Sequence, residues 1–193
     1  MVFDVRQRGV TGLGYGLLRP RSKGQERSVS RLAFAKMNPI EPGPASSHTR
    51  CGMPTTARDH RLILAPGVAD PVSLERLLDD YDATVAEHQR LLAAVLTLPF
   101  NRDEPLHDQF DKVVTWAMLH LARGRQLTSL AVLHAPGDQL AVEPPHAHIM
   151  VLGRVHHVCG WGHVHPDLAE SEHATWAMRW GNFCEAWRNK PEV

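Results

Sequence analysis

The sequence predicts an α+β domain, in which helices pack on an antiparallel β-sheet. Two short apolar runs, at residues 130–133 and 149–152, contain β-branched residues and are bounded by turn residues, as strands are. The segment between the two runs is too long for a tight hairpin but can connect antiparallel neighbours. Several other segments space their apolar residues with a helical period. Together these patterns indicate a sheet with helices packed against it.

Length and composition indicate one globular domain. A chain of 193 residues that is 43% hydrophobic and 22% charged has the make-up of a single domain. We expect residues 1–12 to form a flexible N-terminal leader and residues 13–190 to form the domain. No apolar run is as long as a membrane span, and the first residues lack the apolar core of a signal peptide, which predicts a cytoplasmic location. Three cysteines without paired spacing predict free thiols.

Positive charge is concentrated near the N-terminus, although the whole chain has a formal net charge of zero. Residues 1–36 contain eight basic and two acidic side chains, a local charge of +6. Such a segment is suited to follow a phosphate backbone, and it is equally typical of a solvated leader. Among these residues we single out Arg31 and Lys23 as candidate contacts with nucleic acid.

The first elements are a strand and a helix. Residues 13–18 are apolar enough for the first strand, although two glycines weaken it. Ser28 can cap a helix that continues to Lys36. Residues 38–60 are rich in Pro, Gly, Ser and Thr, which predicts a long surface loop.

The middle of the chain predicts a short strand followed by two helices. The strand covers residues 61–65. Asp70 and Pro71 suit the start of a helix, and its apolar positions keep a helical period up to Pro99. Within this helix Tyr81 is expected to be a core or boundary residue. The second helix covers residues 105–124.

The C-terminal part predicts the two strands already described, a loop and a last helix. The loop at residues 156–165 is dense in histidines and includes a cysteine, but its spacings fit no zinc module. We expect these side chains to line the mouth of a main site or to lie in solvent. The helix at residues 168–187 places aromatic residues three or four positions apart, which favours core packing over stacking on bases.

Three histidines mark the two predicted strands. His134 ends the first strand, and His146 and His148 start the second, on the same face of it because strand side chains alternate. If the strands pair, three imidazoles converge and leave coordination positions open, as in a catalytic metal site. An isolated His-x-His pair in a strand is more often a half-exposed polar face. The third histidine, His134, is what favours a metal site.

The residues around this pair resemble a known motif. P-H-A-H-I-M-V-L-G-R, preceded by L-H on the earlier strand, resembles the histidine-hydrophobic-histidine (HUH) motif of the MobA/MobL plasmid relaxases. Arg154 matches the arginine of that family, and G-W-G at residues 160–162 resembles its G-F-G. L-T-L-P at residues 96–99 falls where the family has A-L-P at a helix end, and W-A-M-R-W-G-N-F-C-E-A-W resembles its closing helix.

The resemblance implies a relaxase, an enzyme that nicks single-stranded DNA by metal-assisted transesterification. His134, His146 and His148 would hold the metal, which is magnesium or manganese in similar relaxases, although imidazoles also suit zinc, nickel or cobalt. Arg154 would position the DNA. The partners implied are single-stranded DNA at a plasmid transfer origin and accessory mobilisation proteins.

The nucleophile that the resemblance implies is missing from this chain. Phe34 stands where the family has its DNA-cleaving tyrosine, and the chain has only two tyrosines. Tyr15, on the predicted first strand, is the candidate replacement. Two alternatives stay open: a metal-dependent phosphodiester hydrolase that uses water, and an inactive DNA-binding remnant of a mobile element. A histidine-triad nucleotide hydrolase is disfavoured, because Met150 takes the place of its third alternating histidine.

Overall fold

Helices cover both faces of an antiparallel sheet. The computed structural model describes residues 3–5, 12–41, 47–48, 53–135 and 144–189. Its strands are β1 (Phe3–Val5), β2 (Gly14–Leu18), β3 (Arg21–Ser22), β4 (Gln25–Glu26), β5 (Ser47–His48), β6 (Pro54–Thr55), β7 (Asp59–Ile63), β8 (Ala93–Pro99), β9 (Ser129–His134), β10 (His146–Leu152), β11 (Arg154–His157) and β12 (Gly160–Val164). Its α-helices are α1 (Val29–Met37), α2 (Leu74–Ala83), α3 (Leu106–Ala117) and α4 (His173–Arg188).

Six of these strands form the main sheet, in the order β1-β2-β8-β10-β9-β7, and all neighbouring pairs are antiparallel. The strands β3–β4, β5–β6 and β11–β12 form separate two-stranded ladders. The predicted α+β class with an antiparallel sheet is therefore confirmed. β1 pairs with β2, so part of the segment that was predicted to be a flexible leader belongs to the sheet.

Alternation along the central strands gives the sheet two apolar faces and hence two cores. One core joins side chains such as Leu96 and Ile149 to α3 and α4, through Trp116 and Trp176. The other core joins β8, β9 and β10 to α1 and α2. Central strands that are buried on both faces read as continuous apolar runs, and this explains why β8, β9 and β10 lack polar alternation.

The long helix predicted up to Pro99 is wrong. α2 begins after Ser73, whose Oγ accepts a hydrogen bond from Arg76 N at 3.0 Å, and it ends at Ala83. Residues 93–99 instead form β8, between β2 and β10. A short apolar run buried on both sides does not reveal its period, so sheet pairing decided the conformation. The family's A-L-P helix end is accordingly a strand end here.

The other predicted helices are confirmed with changed bounds. α1 has the predicted cap, because Ser28 Oγ accepts from Arg31 N at 3.2 Å. α3 starts after Pro105, and a π-helical turn, Met118–Arg123, continues it to Gly124. Two 3₁₀ turns, Pro166–Leu168 and Glu170–Glu172, precede α4. No helix within the described ranges is long and apolar enough to cross a membrane.

Candidate metal centre

The pairing of β9 with β10 brings the three predicted histidines together. His134 lies directly opposite His146, and His148 follows two residues later on the same face of β10. Their ring centroids are 4.8–5.1 Å apart, and one ligand nitrogen from each ring lies within 4.8 Å of the others. Because these distances suit a shared cation, the three side chains are close enough to bind a metal ion.

A hydrogen bond from one ring nitrogen fixes the orientation of each imidazole. His146 Nδ1 donates to Pro144 O at 2.9 Å, and His134 Nε2 donates to Lys36 O at 2.6 Å, because a carbonyl oxygen can only accept. His148 Nδ1 lies 3.0 Å from Thr97 Oγ1. Such outer partners set the tautomer and angle of metal-binding histidines. Each ring is thus oriented through one nitrogen, and the Nε2 atoms of His146 and His148 are turned toward each other.

Burial keeps His148 neutral. Only 8% of its surface is exposed, and burial lowers its pKa to about 2, assisted by the nearby positive charge of Lys36 and by the two neighbouring imidazoles. A neutral imidazole binds metal without first losing a proton. His148 therefore needs no deprotonation step at any pH between 5 and 8.

The acceptor nitrogens of two rings face each other. His146 Nε2 and His148 Nε2 are 3.2 Å apart, and Lys36 Nζ lies 3.1 Å from the same His148 nitrogen. An ammonium group has only donors, so His148 Nε2 must accept. With both Nδ1 protons directed outward, two lone pairs meet at 3.2 Å, an arrangement that a cation between them stabilises. The donor set fits a divalent ion with open positions for oxygen ligands.

Lys36 is the functional candidate that the sequence reasoning missed. It lies on α1, and its carbonyl and its ammonium contact His134 and His148 respectively. Phe34, two residues earlier, points about 200° away around the helix and is 44% exposed. The residue of α1 that meets the histidines is therefore Lys36, not the position that matches the family's tyrosine. The local basic charge was the only signal in the sequence.

Tyr15, the candidate nucleophile from the sequence, does not face the histidines. β8 separates β2 from β10, and the Tyr15 side chain is directed to the opposite face of the sheet, in the core with α3 and α4. It is 1% exposed and stacks on His173 at 5.6 Å between ring centroids. Burial raises the pKa of its hydroxyl well above the ordinary value of 10. A phenol in this position cannot reach a phosphodiester.

Tyr81 is a core residue, as predicted. It is fully buried, and its hydroxyl donates to Leu92 O at 2.7 Å and accepts from Gly153 N at 3.1 Å. Burial raises its pKa as well. Because the chain has two tyrosines, no tyrosine is available at the histidine cluster.

Arg154, which the sequence analysis predicted to position DNA, is buried against the end of α2. It follows β10 at the end remote from the histidines, about 20 Å along the sheet from His148. Its guanidinium donates to Tyr81 O and Thr84 O, both at 2.8 Å, at the C-terminal end of α2, and it is 6% exposed. A cation there satisfies free carbonyls and the negative end of the helix dipole.

The predicted loop at residues 156–165 is a β-hairpin made by β11 and β12. It follows the far end of β10, so it does not line the mouth of the histidine cluster. His156 is buried, stacks on Trp161 at 3.7 Å between ring centroids, and lies 2.8 Å from Thr128 Oγ1. Among the described residues, the groups that could hold a metal comprise only His134, His146 and His148.

The basic residues near the N-terminus line two adjoining grooves. Arg31, on α1, lines a groove of about 560 Å³ that continues past Arg27. Arg27 also lines a second groove, of about 820 Å³, together with Arg19, Arg21 and Arg90. Among the residues that the structure describes, Arg27 Nε is buried without a hydrogen-bond partner. Lys23 is exposed in the turn between β3 and β4, outside the lining of both grooves.

Comparisons with known proteins show the fold. No protein-family model matches the chain, and no curated protein matches it. A solved structure described as the "Molecular Basis of Vancomycin Resistance Transfer in Staphylococcus aureus" is similar over 94% of both chains, with a TM-score of 0.64 and 12% sequence identity. At that identity the similarity establishes a shared fold. The α+β architecture is thus one that a protein linked to resistance transfer also uses.

Proposed function

We propose that this chain is a relaxase-like domain that binds single-stranded DNA through a divalent metal ion held by His134, His146 and His148. The observation that carries the proposal is the convergence of three imidazoles, whose ligand nitrogens lie within 4.8 Å of one another. The HUH-like motif and the fold shared with a protein of resistance transfer support the same class. A bound divalent ion would supply positive charge to phosphate oxygens and would activate water.

In this proposal the DNA backbone lies in the groove lined by Arg31 and Arg27. α1 contacts the histidines through Lys36 on one side and contributes Arg31 to the groove on another. A strand that leaves the metal centre along α1 would meet guanidinium groups suited to phosphate.

We propose that this domain binds DNA without forming a covalent tyrosyl intermediate. Tyr15 and Tyr81 are buried, and Phe34 has no oxygen to attack with. What remains is metal-dependent binding of a phosphodiester, as in a relaxase that has lost its nucleophile. The partners that this class implies are DNA at a plasmid transfer origin and accessory mobilisation proteins.

Hydrolysis by water is the second candidate function. Three protein ligands leave positions open for both a phosphate oxygen and water, so the same centre has the ligand set of a hydrolytic nuclease. This candidate is favoured because, in the part of the chain that the structure describes, the cluster of possible ligands contains these three histidines and no fourth residue. Release of free 3′ and 5′ ends without a protein adduct would distinguish it.

Fluorescence anisotropy of a labelled single-stranded oligonucleotide tests the proposal. We expect Mn²⁺ to tighten binding to the wild type, and we expect chelation to reverse the effect. His146→Ala should lose the metal dependence, whereas His163→Ala, at an exposed histidine of the hairpin, should keep it. Equal binding with and without metal in all three proteins would contradict the proposal. Denaturing gels of the same samples report any adduct or cleavage.

A further inference from the structure

Helix α1 places the ammonium group of Lys36 beside the three histidines. Lys36 Nζ lies 3.1 Å from His148 Nε2, while the carbonyl of the same residue accepts from His134. The backbone at Lys36 is therefore fixed against the cluster. The ammonium, in contrast, sits at the end of a flexible four-carbon stem, so it can exchange one acceptor for another without moving the helix.

The nitrogen that Lys36 contacts is the one that a metal ion needs. His148 Nδ1 is directed to Thr97 Oγ1, so Nε2 is the nitrogen left to coordinate. A single lone pair serves one cation at a time. The ammonium and a divalent ion would also repel each other at this distance. The Lys36 ammonium and a metal ion therefore cannot both bind His148 Nε2 at the same time.

We propose that Lys36 competes with the metal ion for His148, and that a DNA phosphate removes the competition by accepting the lysine ammonium. This inference rests on the proposed function. A phosphodiester at the centre offers Lys36 an anionic oxygen, which is a stronger acceptor for an ammonium than a neutral imidazole. His148 Nε2 would then be available to coordinate the metal ion. Metal and single-stranded DNA bind cooperatively, and by linkage each tightens the other by the same factor.

The alternative role for Lys36 is a purely structural one, in which its contact with His148 only supports packing. A structural role predicts lower stability on substitution but no change in the coupling between metal and DNA. Met is a suitable replacement because it keeps an unbranched apolar side chain of similar length without the charge. Arg76→Met removes one positive charge from an exposed position of α2 and serves as the matched control.

Isothermal titration calorimetry with Mn²⁺, in the presence and absence of a short oligothymidylate, tests the inference on the full chain. For the wild type we expect weak Mn²⁺ binding that the oligonucleotide tightens about tenfold or more. For Lys36→Met we expect tight binding already without DNA, and little further effect of DNA. Arg76→Met should behave as the wild type. His146→Ala should lose Mn²⁺ binding in all conditions.

The outcomes separate this inference from the proposed function. If Lys36→Met and the wild type bind Mn²⁺ equally and respond equally to DNA, Lys36 does not compete with the metal ion. The proposal that the three histidines bind the metal ion is then unaffected. If Lys36→Met binds Mn²⁺ more tightly but keeps the full response to DNA, the link to phosphate is overturned. If the wild type, with and without DNA, and Lys36→Met all fail to bind Mn²⁺, the proposed function fails and this inference fails with it.

Discussion

His134 and His146 lie directly opposite each other on the antiparallel strands β9 and β10, with ring centroids 5.1 Å apart. Strand pairing places the two backbones opposite each other. The hydrogen bonds of His134 to Lys36 O and of His146 to Pro144 O then fix the orientation of the two rings. His148 joins them because its side chain lies on the same face two residues further along. The centre is thus built on rigid strands, not on loops.

Removal of one candidate ligand should weaken metal binding strongly. We expect His148→Ala to weaken Mn²⁺ affinity by about 100-fold or more, because two imidazoles cannot hold the ion as three do. Calorimetry measures the change directly. His163→Ala removes an exposed histidine of the β11–β12 hairpin and should leave the affinity unchanged. Equal losses in both variants would argue for nonspecific binding.

The outer partner of His148 should matter almost as much as the ligand. Thr97 Oγ1 lies 3.0 Å from His148 Nδ1, and Thr97→Val replaces the hydroxyl with a methyl group of similar size. We expect a loss of roughly tenfold in Mn²⁺ affinity, because the tautomer that presents Nε2 is no longer favoured. Thr84→Val, at the end of α2 away from the cluster, is the comparison. Unchanged affinity in Thr97→Val would contradict this role.

A tyrosine introduced at position 34, which matches the tyrosine of the MobA/MobL relaxases only by motif resemblance, should not produce cleavage. Phe34 points about 200° around α1 from Lys36, so Phe34→Tyr places its phenol away from the histidines. We expect no covalent protein–DNA adduct on denaturing gels, with Mn²⁺ present. An adduct in Phe34→Tyr that disappears on adding His146→Ala would show that the helix presents residue 34 to the centre after all.

Arg154 should govern stability and not DNA binding. Its guanidinium satisfies the carbonyls of Tyr81 and Thr84 in a buried setting. Arg154→Met removes the hydrogen bonds of the guanidinium to both carbonyls, and we expect the free energy of unfolding to fall by about 2–4 kcal/mol. Denaturant unfolding measures this loss. Anisotropy at a temperature where the variant is folded should give the affinity of the wild type for DNA; a weaker affinity would support the sequence-based role.

Acid should weaken the fold partly through His156. Burial lowers its pKa to about 4, below the ordinary 6.5 that it has when unfolded. The unfolded chain therefore binds the proton first, and the contribution of neutral His156 is present above pH 6.5 and is lost as the pH falls towards 4. We expect a loss of roughly 2 kcal/mol over this range. His156→Phe, which keeps an aromatic ring beside Trp161, should show a smaller decline; an identical decline would contradict the assignment.

The sequence predicted the convergence of the three histidines better than the surrounding architecture. Alternation in a strand was enough to place His146 and His148 on one face, and the apolar runs identified β9 and β10. β8 was mistaken for helix because residues 93–99 are buried on both faces and show no period. The positions of Tyr15, Lys36 and Arg154 depend on which face of the sheet or helix each occupies, and that is decided by long-range pairing.

Diffraction from crystals soaked in Mn²⁺, with data collected at the manganese absorption edge, tests the central claim most directly. We expect an anomalous peak at coordination distance from one nitrogen each of His134, His146 and His148. The same peak should be absent from crystals of His146→Ala. A wild-type map without a peak among these three side chains, or with its peak at the histidines of the β11–β12 hairpin, would contradict the account.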